Sequence, residues 1–597
     1  MDGQASARIG WTRAGVGLGQ GLAFYALLWA TGVRNDFSVG RAAAAVWPAT
    51  VPWLYAALSF AVLAAPVIVI GGLAELRRVT LAAWTLAGAA VAAGLAAYDV
   101  LRSVATPAPT EPGFQVFVAV GAFLFIAHNL VAARDASGRW TAPYPLRFDS
   151  AWKHGVQLAL SLAFVGAFWI IMGLGASLFG LIGLHAFSEL VRRPWFDAPA
   201  TAVMFACAVH LTDVRAGLIK GIRTVTLTLL SWLMPLMGLI AAGFLAALPF
   251  TGLGPLWKVT HSTGVLLAAI ADLVLLINAT YQDGEAETRA PLILRWCGRI
   301  TALTLAPLTA IAAYGLWLRL SQYGLTPERI IVAACLLVAA IYAVGYAIAA
   351  VSPGGWMKRL EPTNVVAAYV ILATILAIFT PIADPDRIAV ADQVARLNAG
   401  KTAADKFDYA FLRFKSGTYG RDALKALAAK TSGLNAATIA ERARAAQALK
   451  FPWVEGLAAP APVTADQIAV FPKGRALPAD FLKQPLTDSN GLPVNCSAES
   501  KCEAYIVTLD AGDEPAIIVS ESRYPMTLFT HTRDKGWRAA GQIEQAPCLT
   551  VGDVLADQAA LRAGKVRSVP RQAIDIEIGG RSHSVDTQID CSGPAGR

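Results

Sequence analysis

Residues 52–74 read PWLYAALSFAVLAAPVIVIGGLA, a stretch without a single charge, and this run decides the class of fold. At 1.5 Å of rise per helical residue, crossing about 30 Å of hydrocarbon takes roughly twenty mainly apolar residues, so the run is long enough to span a bilayer. Working outward from it, similar runs lie near residues 14–33, 80–98, 114–133, 155–180, 199–217, 224–249, 263–281, 300–318, 330–351 and 364–381. The expected fold is an α-helical polytopic membrane bundle of about eleven transmembrane helices over residues 1–385, followed by a soluble α+β domain. The first run follows Arg8 and Arg13 and shows no small-x-small cleavage site before Arg34, so it reads as an uncleaved helix. That run, diluted by glycines, and the sixth, which carries His210 and ends near Asp213, have the weakest hydropathic case.

Composition agrees. The chain has 597 residues, 56% hydrophobic and only 15% charged, against about 25% charged in an ordinary soluble domain. Residues 1–385 hold 24 Lys and Arg with 17 Asp and Glu, whereas the remaining 212 residues hold 26 and 24. The net charge of +9 invites a nucleic-acid reading, but no basic run is interleaved with aromatics and no helix is basic. No nucleic-acid partner is expected; the partner is the lipid bilayer.

Positive loops stay cytoplasmic, which orients the bundle. With the N-terminus inside, the inner segments carry sixteen Lys and Arg, among them Arg77, Arg78, Lys153, Arg223 and Arg359, and the outer loops carry eight, among them Arg34, Arg102 and Arg192. An odd number of helices then puts the C-terminal domain outside the cytoplasm. Cysteine usage points the same way. Cys207, Cys297 and Cys335 fall in or beside spans, where a thiol is a small packing residue, whereas Cys496, Cys502, Cys548 and Cys591 all lie in the tail, an even number that fits two disulfides in an oxidising compartment. Three pairings exist, and Cys496 with Cys502 and Cys548 with Cys591 is the expected one. Zinc is the rival reading, but the tail has no C-x-x-C and neither His531 nor His583 stands at a finger-like offset. No metal and no cofactor are expected.

The tail divides by pattern. Residues 386–450 are rich in Ala, Lys, Arg and Leu at helical spacing, as in Ala423 to Lys430 and Ala436 to Leu449. Residues 451–597 alternate β-prone runs with turn residues, at Ala504–Leu509, Ala516–Val519, Met526–His531, Trp537–Ile543 and Ile574–Ile578, and predict a small antiparallel sheet.

The long multi-helix region containing Tyr281-Gln282-Asp283-Gly284, followed by an Ala-rich segment containing Asp408-Tyr409-Ala410-Phe411-Leu412-Arg413-Phe414 and Tyr419-Gly420, resembles the bacterial inner-membrane family called domain of unknown function 4153. The resemblance covers most of the chain. It implies a bacterial inner membrane and no established reaction, and it carries over no catalytic residue.

An ionisable group in mid-membrane is a functional suspect because burying it there is costly, about 3 kcal/mol for Asp. Asp272 sits near the middle of the eighth span with Ala268 and Ala279 on about the same face, which predicts that it faces protein or a cavity. His210 lies at a similar depth in the sixth span, and His128 with Asn129 on the fourth could extend a proton relay or cation site inward. The plainer reading satisfies each group locally, against a backbone carbonyl or a hydroxyl. Pro66, Pro235 and Pro307 fall inside spans, where a missing backbone donor kinks a helix. Asp283, Glu285 and Glu287 beside Arg289 could gather a divalent cation, although Asp283-Gly284 is first a turn dipeptide. Asp408, Tyr409, Arg413 and Tyr419 suit either a docking surface or the core face of an amphipathic helix.

The sequence contains no H-E-x-x-H, G-x-S-x-G, P-loop or C-x-x-C motif, so enzymatic activity has no motif behind it. The leading expectation is a non-enzymatic sensor, scaffold or accessory of envelope processes that meets envelope proteins through residues 386–597. An ion-coupled permease using His210 and Asp272 comes second, and a membrane-embedded transferase acting on lipid-linked substrates third.

Overall fold

The structure is a computed structural model that describes residues 3–32, 45–103, 112–139, 141–258, 262–284 and 290–449, and, of the remainder, chiefly 467–483, 502–508, 515–520, 526–532, 536–543, 551–566, 575–578 and 581–584. It divides into two compact units, residues 1–444 and 445–597.

The first unit is helical. Its long helices are α1 (Gly3–Ala30), α2 (Pro52–Gly72), α3 (Arg78–Ser103), α4 (Phe114–Ser137) and α5 (Tyr144–Leu181); after the short α6 (Ala186–Val191) come α7 (Pro194–Val214) and α8 (Ala216–Thr251). After α9 (Gly254–Lys258) follow α10 (Ser262–Tyr281), α11 (Leu292–Tyr323), α12 (Pro327–Val351) and α13 (Leu360–Ile378). Each of the eleven apolar runs thus falls on one long helix, and Pro66, Pro235 and Pro307 lie inside α2, α8 and α11. Among the described residues, nine of these helices are long and apolar enough to cross a membrane. This is a multi-pass membrane protein.

The two long helices outside that set are α1 and α7, the two whose hydropathy is weakest, and they pack on each other. Gly21 meets Pro199 so closely that a Cβ there would lie 2.2 Å from the Pro199 Cα. Arg13 of α1, 1% exposed, donates to Asp213 of α7 at 2.8 Å and to the carbonyl of Ile70. Their polar residues lower their hydropathy because those residues serve each other.

One apolar core gathers Leu266, Ile270, Leu273 and Ile277 of α10 against Leu305, Leu308 and Ala312 of α11 and Tyr346 of α12. A second joins Ala56, Phe60 and Ala64 of α2 to Leu95 and Ala96 of α3 and Val116 and Val120 of α4. Polar contacts sort the helix ends into two faces. At the first face the start of α1 meets the ends of α2 and α7 and the start of α5. At the second face the end of α3 and the α11–α12 turn receive a chain segment that follows the bundle.

That segment consists of α14 (Pro385–Asn398), a π-helical turn (Phe411–Lys415), α15 (Gly417–Ala428) and α16 (Ala436–Ala448). Asp384 caps α14, accepting from the backbone of Asp386 and Arg387, as short acidic side chains do at helix starts. Gln393 donates to the carbonyls of Tyr323 and Leu325, and Arg396 to that of Gln322. Within the Asp408–Phe414 stretch, Asp408 accepts from the Phe411 backbone, Tyr409 and Leu412 are buried, and Arg413 lies over the Phe414 ring.

The second unit holds a five-stranded sheet in the order β1 (Ile468–Phe471), β2 (Cys502–Val507), β3 (Ala516–Ser520), β4 (Met526–Thr532), β5 (Gly536–Ile543), then α17 (Val551–Arg562) and a hairpin of β6 (Asp575–Ile578) and β7 (Arg581–Ser584). The sheet is mixed rather than purely antiparallel, because β1 pairs with β2 in parallel. Both faces are buried, one by Ala504, Ile517, Val519, Phe529 and Trp537 and the other by Tyr505, Val507, Ile518 and Met526. Cys496 and Cys502 form a disulfide at the start of β2. Cys548 and Cys591 lie outside the described residues.

Candidate functional site

A polar cluster that borders a cavity lies at the first face. Lys153 and His154, neighbours on α5, both bond Glu75 from the turn after α2, the His154 Nε2 at 3.0 Å. Lys153 also reaches Asp213 at 3.3 Å, so a chain of opposite charges runs from Arg13 through Asp213 and Lys153 to Glu75 and His154. Burial pushes the Glu75 carboxyl up, but the bonds and charges of His154 and Lys153 outweigh it and bring it down to about 2.

The other His154 nitrogen, Nδ1, meets Asn129 Oδ1 at 2.7 Å. Asn129 is fixed in that orientation because its Nδ2 donates to the Phe125 carbonyl at 2.8 Å, and Ser150 donates to the same Oδ1. Both nitrogens of His154 are therefore engaged by protein partners, Glu75 on one side and Asn129 on the other.

His128 stands beside it, with ring centroids 5.1 Å apart in an edge-to-face arrangement. Its Nδ1 accepts from Trp84 Nε1 at 3.1 Å. Indole N–H is a donor only, so Nδ1 must be unprotonated and the single ring proton sits on Nε2. That Nε2 is buried and has no partner among the described residues.

It lines a cavity of about 380 Å³ between α1, α2, α4, α5 and α7, in which Gln20, His128, His154 and Gln157 are the polar lining residues and the rest are apolar or glycine. Gln20, Leu63, Val67 and Phe205 also line a second cavity of about 790 Å³, whose far end carries Arg192 and Asp197. The two together form an apolar trough along these helices with a histidine pair near one end.

The four residues singled out from the sequence do not assemble into one site. His128 and Asn129 both belong to this cluster. His210 packs against Gly10, near Arg13 and Asp213, with its Nδ1 unpartnered among the described residues. Asp272 faces outward on α10 with Ala268, while Ala279 is buried. The reason is the apolar stripe Leu266, Ile270, Leu273 and Ile277, which takes the interior side of α10 and turns Asp272 away from it. Moreover α7 packs chiefly on α1 and α5, and α10 on α11, α8 and α12, so His210 and Asp272 sit in different neighbourhoods.

A further polar group is closed on itself. Tyr144, Asn278, Tyr346 and Asn364 bond one another at 2.6–3.4 Å. Close by, Tyr281 donates to Glu361 at 2.8 Å, which ties Tyr281-Gln282-Asp283-Gly284 to the start of α13. Residues 285–289 lie outside the described residues. Among the described residues no group of three or more His, Cys, Asp or Glu could hold a metal ion.

Glu75, Lys153, Trp84 and His154 escape a reading by hydropathy because the charged ones look like loop residues. The signal was Lys153-His154 directly before an apolar run.

The family described as domain of unknown function (DUF4153) matches residues 37–429, about two thirds of the chain, and the chain belongs to it. No curated protein and no solved structure matches the chain.

Proposed function

We propose that this member of the family called domain of unknown function 4153 is a lipid-handling accessory of envelope processes in a bacterial inner membrane. Its N-terminus is cytoplasmic, and residues 386–597 are extracytoplasmic and meet envelope proteins. The observation that carries the reading is the apolar trough. Two adjoining cavities lined mainly by Leu, Val, Phe, Ala and Gly, with Gln20 where they meet, the histidine pair on the first and Arg192 and Asp197 on the second, fit the chain of an amphiphile. The orientation is supported by the distribution of Lys and Arg and by the disulfide in the second unit.

Val67 lines both cavities, so Val67→Trp fills the trough without touching the ionic cluster. After purification and exchange into a lipid-free detergent, wild-type protein keeps a defined lipid by native mass spectrometry and Val67→Trp loses it while its melting temperature is preserved. Equal lipid retention by both proteins contradicts the reading. The orientation has its own test: a membrane-impermeant thiol reagent labels Cys496 and Cys502 in intact cells after reduction, whereas labelling only after lysis reverses the topology.

A further inference from the structure

We infer that the head group taken at the histidine end of the trough is a neutral planar ring bearing a carbonyl oxygen, the chemistry of an isoprenoid quinone, anchored by His128 Nε2–H. The inference rests on the lipid-chain reading above and names the class of lipid.

The argument counts donors, acceptors and charges at the cavity wall. Trp84 holds His128 Nδ1 as an acceptor, which leaves this cavity-lining residue one N–H, on Nε2, without a protein partner among the described residues. Gln20 and Gln157 also line the wall, and their amide nitrogens already have partners, the carbonyls of Val62 and Leu63 for Gln20 and that of Val209 for Gln157. His154 spends both nitrogens on Asn129 and Glu75. Of the polar lining residues, only His128 has a buried side-chain atom, Nε2, with no partner among the described residues, and this N–H calls for an acceptor oxygen on the ligand.

Charge narrows the class. Arg13, Lys153, Glu75 and Asp213 pair among themselves and do not line this cavity. A phosphate head group buried here would meet no Lys or Arg among the described residues that line this cavity, and an unpaired buried charge is far more costly than a buried carbonyl. A neutral head is what the site accommodates.

Shape narrows it again. Phe60, Phe117, Phe125 and Phe205 line the cavity, with Phe60 and Phe117 edge-to-face at 6.3 Å, and aromatic faces and edges pack best on a flat ring. The second cavity, sharing Leu63, Val67 and Phe205 with the first, continues the apolar path for a prenyl tail. An ester carbonyl of a diacyl lipid offers the same acceptor without the flat ring, and the experiment separates the two.

Full-length protein in lipid nanodiscs is titrated with decylubiquinone, with a brominated alkane that has a chain but no head, and with a short-chain diacylglycerol, each followed by quenching of tryptophan fluorescence. The expected result is saturable binding of decylubiquinone, weakened about tenfold by His128→Ala and restored in part by His128→Gln, which keeps an N–H donor. The alkane binds wild type and His128→Ala equally, and diacylglycerol competes weakly. Should His128→Ala fail to fold, Trp84→Phe serves instead, because freeing Nδ1 lets the proton leave Nε2 and weakens the quinone several-fold. Alkane binding with quinone affinity unmoved by these variants, or with diacylglycerol competing as well as quinone, overturns the head-group inference while the chain reading stands. Absence of both alkane and quinone binding overturns both.

Discussion

Two part-buried ionic clusters sit at opposite faces of the same helical unit, and their carboxylates are shifted in opposite directions. At the first face two carboxylates, Glu75 and Asp213, meet Arg13, Lys153 and the His154 ring. At the second face three carboxylates surround one cation: Arg102 contacts Asp99 at 2.7 Å, Asp384 at 3.7 Å and Asp386. Tyr98 adds a hydrogen bond to Asp384 at 2.6 Å and lies 3.0 Å from the Tyr419 hydroxyl. Gly417, with φ of +55°, lets the chain come against the Arg102 carbonyl, where a Cβ would lie 2.2 Å away. The bonds and charges of His154 and Lys153 hold Glu75 down at about 2 against its burial, whereas burial, with Asp384 and Asp99 opposing the pull of Arg102, raises Asp386 to about 6. The second cluster is a clamp that fastens the segment after the bundle to α3. The first borders a cavity lined by His128, whose buried Nε2 has no partner among the described residues.

Removing the central cation of the clamp has the largest expected effect. Arg102→Ala leaves three clustered carboxylates, Asp99 and Asp384 of them buried, facing one another and destabilises the first unit by about 3–5 kcal/mol, read as a lowered melting temperature and faster proteolysis between residues 385 and 429. Proteolysis unchanged from wild type would show that the clamp does not hold the segment.

The opposite shifts predict opposite pH dependences. A raised carboxyl favours the folded protein when protonated, so the Asp386 contribution is fully present below about pH 3.8 and is lost as pH rises through about 6. The difference is on the order of 2–3 kcal/mol. Asp386→Asn should flatten that limb of a stability profile against pH. The Glu75 contribution is present above about pH 4.5 and is lost as pH falls towards about 2. Glu75→Gln should remove this acid limb, cost about 1.5 kcal/mol near neutrality through its weakened charge-assisted bonds, and leave the Asp386 limb intact. A shared loss of both limbs in either variant would mean that the clusters are not independent.

The smallest effect sharpens the comparison most. Trp84→Phe removes one hydrogen bond, about 1 kcal/mol of stability, and releases the tautomer of His128. An upfield or downfield move of the His128 ring nitrogen resonances in ¹⁵N spectra, without a comparable change at His154, is the expected signature.

The spans were legible because a bilayer demands long apolar runs, and all eleven runs became helices. Helix ends were not. The run at 155–180 marks only the lipid-facing part of α5, which begins at Tyr144, and the trimmed turn carries Ser150, Lys153 and His154. Hydropathy discards charged turns at a span's end, and here those turns hold the ionic cluster. Asp272 drew attention by its place in the middle of a run, yet it is the stripe Leu266, Ile270, Leu273 and Ile277 that sets which way α10 faces. In the second unit β2 to β6 were visible as β-prone runs, whereas β1 has only four residues and α17 interrupts a region read as strands.

The central claim is that the trough between α1, α2, α4, α5 and α7 holds an apolar chain. Photo-crosslinking with a diazirine-bearing prenyl chain in native membranes, followed by peptide mapping, tests it most directly. The account predicts adducts concentrated at Leu63, Val67 and Phe205 and suppressed by Val67→Trp. Adducts spread evenly over outward-facing positions such as Leu229, Leu236 and Leu239 of α8, and insensitive to Val67→Trp, would contradict it.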